Sequence, residues 1–302
     1  MQPSKQCGLW HKLMRDRHLK YALVLPAVAA VFVTAVWPLI DSALLSFRVW
    51  KLSRSSRPGP FIGAENYLQA LETPDFLNAV VNTILFVAFS VGFTTALALG
   101  LALLLFKGGP LRKSVQTLLI LPFAMSPALV GVSWRFMFHP EFGLFAAAFG
   151  TIFPPLAGVN WLATPGLAFT ALVMADVWAW TPFMTLVLIG GLAAIPQDTL
   201  EAASVDGASG WRTLWDVTVP QLLPVLAVVM ILKTIFAMKA FDVIFMLTQG
   251  GPGTATQTLV YYAYLNGFKY YDMGYASAVA WFMVIPMMGL TFLYTRFVFR
   301  RA

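Results

Sequence analysis

Six stretches of this chain are apolar for at least the ~20 residues that a helix needs to cross the hydrocarbon core of a bilayer. They cover residues 21–47, 79–106, 115–138, 167–194, 222–248 and 275–299. In lipid every backbone amide must be satisfied without water, so an isolated apolar stretch of this length can only be a helix. The pattern predicts an all-α membrane protein with six transmembrane helices. Composition agrees: 11% of residues are charged, against about a quarter in a soluble domain. Segment 142–153 is apolar but too short to span. It is followed by Pro154-Pro155 and fits a short interfacial helix. Prolines 26, 38, 122, 127, 182, 224 and 286 lie in or at the ends of spans and predict kinks. The first apolar stretch exceeds the roughly 7–15 residues of a signal-peptide core and carries no evident small-residue cleavage site, so it reads as a retained span.

Six spans place both termini on one side of the membrane. With the termini inside, twelve Lys and Arg lie inside and five outside, which predicts cytoplasmic termini. The division is then a tail over 1–20, a six-span transmembrane domain over 21–299 and a tail over 300–302. The net charge of +7 needs no nucleic-acid partner, because the inner segments hold the excess. Two segments run against the trend. The first external loop carries Arg48, Lys51, Arg54 and Arg57, and the cytoplasmic loop over 195–221 is net acidic, with Asp198, Glu201, Asp206 and Asp216 against Arg212.

That acidic loop is too long to be a simple connector. Asp198 and Glu201 stand three apart, as in a capping box, and predict a short helix through Ser204. Gly207 and Gly210 allow the chain to turn. A second short helix over about 211–217 would present Trp211, Leu214, Trp215 and Val217, with Pro220 stopping it. Two readings stay open from pattern alone: an interfacial helix with its tryptophans in the headgroups, or an elbow that docks on a protein. An anionic leaflet attracts basic segments, and this loop is acidic.

Glu201-Ala202-Ala203, Asp206-Gly207-Ala208, Val217, Val219-Pro220 and Pro224 together resemble the signature loop of binding-protein-dependent ABC importer permeases. The Asp-Gly-Ala form is similar to the sugar-permease branch, related to the maltose and glycerol-phosphate importers. Leu192-Ala-Ala-Ile195-Pro196, Leu121-Pro122, Trp134 to Pro140, and Phe241-Asp242 with 247–252 and Thr256 extend the likeness over about 120–260. Leu214, Val217 and Val219 depart mildly from the usual residues. The resemblance implies that the loop is a coupling helix seated in a cleft of an ATPase subunit. Glu201, Ala202, Ala203, Asp206, Gly207, Ala208, Trp211, Leu214 and Pro220 would make that contact. It further implies a second, similar permease subunit in a heterodimer, two ATPase subunits and an extracytoplasmic solute-binding protein. That protein would touch the loop at Gly250, Gly251, Pro252 and Thr256, a loop flexible by composition. Mg-ATP would be bound by the ATPase subunits, with no cofactor in this chain. Residues 108–114 superficially resemble a phosphate loop, but Arg112 stands where a glycine should precede Lys-Ser.

Polar residues within spans mark the candidate solute path, since each central charge costs about 2.5–3.5 kcal/mol on insertion scales. These are Asp176, Lys233, Lys239 and Asp242, with Trp178, Trp180, Phe236 and Phe241 as nearby rings that could stack on sugars. Lys239 and Asp242 are three apart and could instead pair with each other. Lys233 lacks a partner in its own span, and Asp176 could reach it across the bundle or line the path. Asp41 and Arg135 sit near span ends, where snorkelling accounts for them. Tyr261, Tyr262, Tyr264, Tyr270, Tyr271 and Tyr275 are expected largely in an interfacial belt. Sugars or polyols, or an anion such as glycerol phosphate, are the expected cargo.

The chain has one cysteine, Cys7, and three histidines, His11, His18 and His139, none in a plausible cluster. No nucleophile-base or metal motif appears, which argues against an enzyme. An ion-coupled secondary transporter is the competing class. Such folds often carry two related halves, and no convincing repeat relates residues 1–150 to 151–302.

Overall fold

The computed structural model describes residues 19–106, 108, 112–145, 148, 152 and 159–299. The tails with Cys7, His11 and His18, most of the basic turn near Lys107, and part of 142–153 lie outside the described residues. Among the described residues the chain is helical, with isolated backbone bridges between Arg48 and Phe61 and between Lys51 and Asp272.

Helix α1 runs over 19–46 and α2 over Glu65–Glu72. The second span, α3, is Pro74–Phe106. The third is a broken pair, α4 (Arg112–Ala124) and α5 (Pro127–Met137), bent by 96°. Helix α6, Pro165–Ala193, is the fourth span. Then come α7 (Gln197–Val205), the long α8 (Gly210–Met238), α9 (Asp242–Leu247), α10 (Leu259–Tyr264) and α11 (Met273–Phe299). Among the described residues five helices are long and apolar enough to cross a membrane, or six if the bent pair counts as one span.

Two expected helices are thus interrupted. The third span, read as one helix over 115–138, turns at Met125-Ser126 because Pro122 and Pro127 crowd the break. Ser126 Oγ then caps the new helix by accepting from Leu129 N at 3.3 Å. The fifth span, read as continuous over 222–248, ends at Met238, and its chain restarts at Asp242.

Conversely, Pro220 does not stop a helix. The chain passes from Gly210 to Met238 through a π turn at Thr213–Thr218, where Val219 N donates to Leu214 O, five residues back. A proline ring clashes with the carbonyl four residues before it; the widened turn displaces that carbonyl. The same device precedes Pro38, where a π turn at Phe32–Val36 ends with Trp37 N donating to Phe32 O.

Lipid tails are as apolar as leucine, so close packing and polar links hold such a bundle. Helices α3 and α6 make the most extensive contact, and Ala98 and Ala102 of α3 and Ala171 and Ala175 of α6 are fully buried in the core clusters the two helices share. Small side chains let the backbones approach. Tyr261, Tyr262 and Tyr275 are buried rather than belted, and the Tyr262 and Tyr275 hydroxyls meet at 3.1 Å; Tyr270 and Tyr271 are exposed. Asp41 and Arg135 are exposed. Helix α1 contributes little to the core: residues 23–40 are all exposed, and its C-terminal end is tied down by Tyr67 Oη, which donates to Ser46 Oγ at 2.7 Å.

Candidate functional site

The acidic elbow follows from its own local chemistry. Helix α7 starts after Pro196 without a side-chain cap, so the Asp198–Glu201 capping box does not form, and Asp198 lies in the first helical turn. The helix ends at a Schellman turn: Gly207 N donates to Ser204 O at 3.1 Å and Ala208 N to Ala203 O at 3.0 Å. Gly207 takes φ +74°, which needs glycine. Gly210 is not a turn residue; it opens α8, capped by Ser209 Oγ, which accepts from Arg212 N at 3.4 Å.

No residue over 197–218 is buried. Glu201, Ala202, Asp206, Gly207, Trp211 and Pro220 are exposed, and Ala203, Ala208 and Leu214 are half-buried. Trp211 is 70% exposed, with Trp215 set edge-on to it at 5.7 Å. Val205, 85% exposed, is a knob that sequence reasoning missed. Its signal was an apolar residue immediately before Asp206-Gly207.

The α8 helix then carries the chain from the elbow to a cavity of about 530 Å³. Both interrupted spans open onto it: Pro122, Phe123, Met125 and Pro127 from the first break, and Lys239, Ala240, Phe241 and Asp242 from the second. Six of the eight expected path residues line it, namely Asp176, Trp180, Phe236, Lys239, Phe241 and Asp242. Trp180 and Phe236 stack at 4.4 Å, and Phe123 meets Trp180 edge-on at 5.7 Å. The two others lie outside the lining: Trp178 packs edge-on against Trp134 at 5.9 Å, and Lys233 sits behind Asp176. Phe123 and the Pro122–Pro127 corner were missed as lining residues; the two prolines five apart were their signal.

The charges pair differently from the simplest expectation. Lys233 Nζ reaches Asp176 Oδ2 at 2.5 Å across the bundle, with both side chains buried. Ser90 Oγ donates to the same oxygen. Lys239 and Asp242 form no ion pair, because the helix breaks between them; Lys239 Nζ lies 5.7 Å from the Phe236 ring centre instead.

The segment after α9 corrects the expectation of a flexible loop. Asn78 and Asn82 of α3 both donate to Thr254 O, at 3.0 and 2.9 Å, and Asn82 also to Gln257 O at 3.1 Å. Thr256 is buried, and its hydroxyl lies 2.8 Å from Gly251 O and 2.7 Å from Thr248 Oγ1, hydrogen-bonded within the segment. Gly250 is also buried; Gly251 and Pro252 are half-buried. The loop between α1 and α2 carries the exposed Arg48, Lys51, Arg54 and Arg57. It is fastened by a 3.3 Å ion pair from Lys51 to Asp272. Among the described residues no cluster of His, Cys, Asp and Glu could hold a metal.

Residues 80–300 match the model of the family described as binding-protein-dependent transport system inner membrane component. The chain is 36% identical over 285 residues to the trehalose/maltose transport system permease protein MalF of Thermococcus litoralis, covering 93% of this chain and 94% of that one. It is 33% identical over 293 residues to the sn-glycerol-3-phosphate transport system permease protein UgpA of Rhizobium meliloti, covering 95% and 96%. In fold it is similar to a bacterial alginate ABC transporter solved with an alginate pentasaccharide-bound periplasmic protein, at TM-score 0.80, 22% identity and 95% coverage of both chains.

Proposed function

The chain belongs to the binding-protein-dependent transport system inner membrane components, the permeases of ABC importers, and from that premise we propose how it works. It pairs with a second, homologous permease, and the pair sits on two ATPase subunits that bind Mg-ATP. An extracytoplasmic binding protein delivers a sugar or polyol. Residues 195–221 and both tails, 1–20 and 300–302, lie on the cytoplasmic side. The observation that carries this reading is the union of elbow and cavity in one helix. Gly210–Met238 spans 29 residues, about 43 Å at 1.5 Å per residue. One end displays unburied apolar knobs; the other ends beside Lys239 in the cavity wall.

Closure of the ATPases on nucleotide pulls the elbow. Glu201 and the backbone at Gly207 take the mechanical contact, while Val205, Trp211 and Leu214 fill the cleft. The rod tilts, and the two interrupted spans change the opening of the cavity. Broken helices suit this role because their freed backbone groups line a cavity rather than lipid. The test is co-purification of the ATPase with Glu201→Lys and Gly207→Pro variants, together with ATP-driven uptake. Both should be lost while membrane insertion persists. Normal coupling in both variants overturns the reading.

A further inference from the structure

Four basic side chains stand in one loop at the end of α1, outside both the elbow and the cavity lining. Arg48, Lys51, Arg54 and Arg57 are all exposed, and residues 47–64 hold no acidic side chain. Lys51 is matched by Asp272. Among the described residues Arg48, Arg54 and Arg57 make no ion pair, and neither do Glu65 and Glu72 of the adjoining α2. Three guanidinium groups are thus left without a counterion from these residues.

The loop is nonetheless built. Val49 N donates to Pro60 O at 3.2 Å, Gly59 N to Val49 O at 2.8 Å and Ile62 N to Phe47 O at 2.9 Å, which closes it on itself. Leu52 N donates to Tyr271 O and Met273 N to Trp50 O, both at 2.8 Å, which fixes it to the start of α11. The buried Asn66 of α2 donates through Nδ2 to Ser46 O at 2.8 Å and Arg48 O at 3.0 Å. Gly274 keeps this frame tight, since a Cβ there would collide with Arg48 O. The arginines therefore leave a fixed backbone rather than a loose tether.

Position sets what surrounds them. The loop follows directly on α1, whose residues 23–40 are all exposed, and lies against the first residue of α11; both helices are membrane spans by length and composition. Long basic side chains just beyond an apolar span sit at the headgroups. Exposed apolar groups alternate with the charges: Val49, Leu52 and Phe61, the last 71% exposed, with Tyr270 and Tyr271 close by in the chain that holds the loop. Water alone gains nothing from these groups. A boundary that is apolar below and anionic above suits them and the arginines together, and a guanidinium fork matches a phosphate by paired hydrogen bonds.

We propose that this loop is a docking surface for anionic phospholipid headgroups, with Arg48, Arg54 and Arg57 on the phosphates and Val49, Leu52 and Phe61 at the acyl boundary. Lipid held there joins the ends of α1 and α11, and so fastens a helix that contributes little to the core.

The test uses the whole importer, with its partner permease, ATPase and binding protein, in nanodiscs of phosphatidylcholine with and without phosphatidylglycerol. Hydrogen exchange is read over residues 47–63. Phosphatidylglycerol should slow exchange there at least about fivefold, the scale of one basic residue at an anionic surface, and high salt should reverse the effect. In the Arg48→Gln/Arg54→Gln/Arg57→Gln variant the difference between the lipids should vanish, with assembly and exchange in phosphatidylcholine as in wild type. The matching triple Lys variant should keep most of it, because the charge remains. Equal exchange in both lipids for wild type overturns the proposal, as does a lipid effect that survives in the triple Gln variant. Failure of that variant to assemble also overturns it, by assigning the arginines to the fold of the loop. Soluble glycerol 3-phosphate that reproduces the effect in phosphatidylcholine would mark a site for free phosphate. Weakened binding-protein affinity in the Gln variant, with the lipid effect intact, would mark a protein-docking face; either result overturns the proposal. The readout is the same whichever membrane face the loop occupies, so it is independent of the coupling mechanism.

Discussion

The elbow over 197–218 and the segment over 249–258 share sequence traits: each interrupts apolar helices, carries two or three glycines among small polar residues, and has a proline within it or beside it. In the folded chain they are opposites. The elbow buries none of its residues and is held only by its own caps and turns. The other segment is stitched to α3 through Asn78 and Asn82, and Leu259 N donates to Thr83 Oγ1 at 2.8 Å. A loop that keeps its apolar knobs outward has its contact surface free for another molecule. A loop whose carbonyls are claimed by a neighbouring span moves with that span.

The comparison can be broken most severely at Gly207. Proline there cannot take φ +74° and removes the N–H that donates to Ser204 O. ATP-driven uptake should vanish with little change in the thermal stability of the bundle. In the stitched segment, Gly250→Ala should act the other way. Its φ is +78°, and an added Cβ would fall 2.6 Å from Tyr261 Cε1. We expect a drop in the melting temperature of the assembled complex, measured by light scattering or fluorescence. Asn82→Ala removes two hydrogen bonds to backbone carbonyls. Each is worth about 0.5–1.5 kcal/mol, so stability should fall by less than in Gly250→Ala, and hydrogen exchange over 254–258 should quicken. Smallest is Ser209→Ala, which deletes the cap of α8 at about 1 kcal/mol. It should fray the elbow in hydrogen exchange and leave assembly intact. If Asn82→Ala left exchange unchanged while Ser209→Ala destabilised the bundle, the contrast between the two loops would be reversed.

Periodicity and length revealed the spans because hydropathy is a local property. The elbow was legible for a similar reason: the turn at Gly207 and the flanking caps are set by neighbours in sequence. Its capping box failed because Pro196 took the cap position ahead of Asp198. The breaks at Met125-Ser126 and at Lys239–Phe241 were not legible, since proline bends some helices and passes through others. Pro182 sits within α6 and Pro220 within α8 without ending either helix. What decides between these outcomes is the packing around the freed carbonyl, which no short window contains. Lys233 and Asp176 are 57 residues apart, so only the folded bundle could fix their pairing over the alternatives. The buried Thr256 and the Asn82 stitches are long-range for the same reason.

The uninterrupted run from Gly210 to Met238 has a consequence for regulation. A stiff helix has no preferred direction of transmission. If engagement of the elbow changes the affinity of the cavity for its solute, thermodynamic linkage requires the solute to change engagement of the elbow by the same factor. On the proposed docking, an ATPase would then sense an occupied cavity through the same helix. Idle hydrolysis on an empty importer would be restrained without a separate sensor.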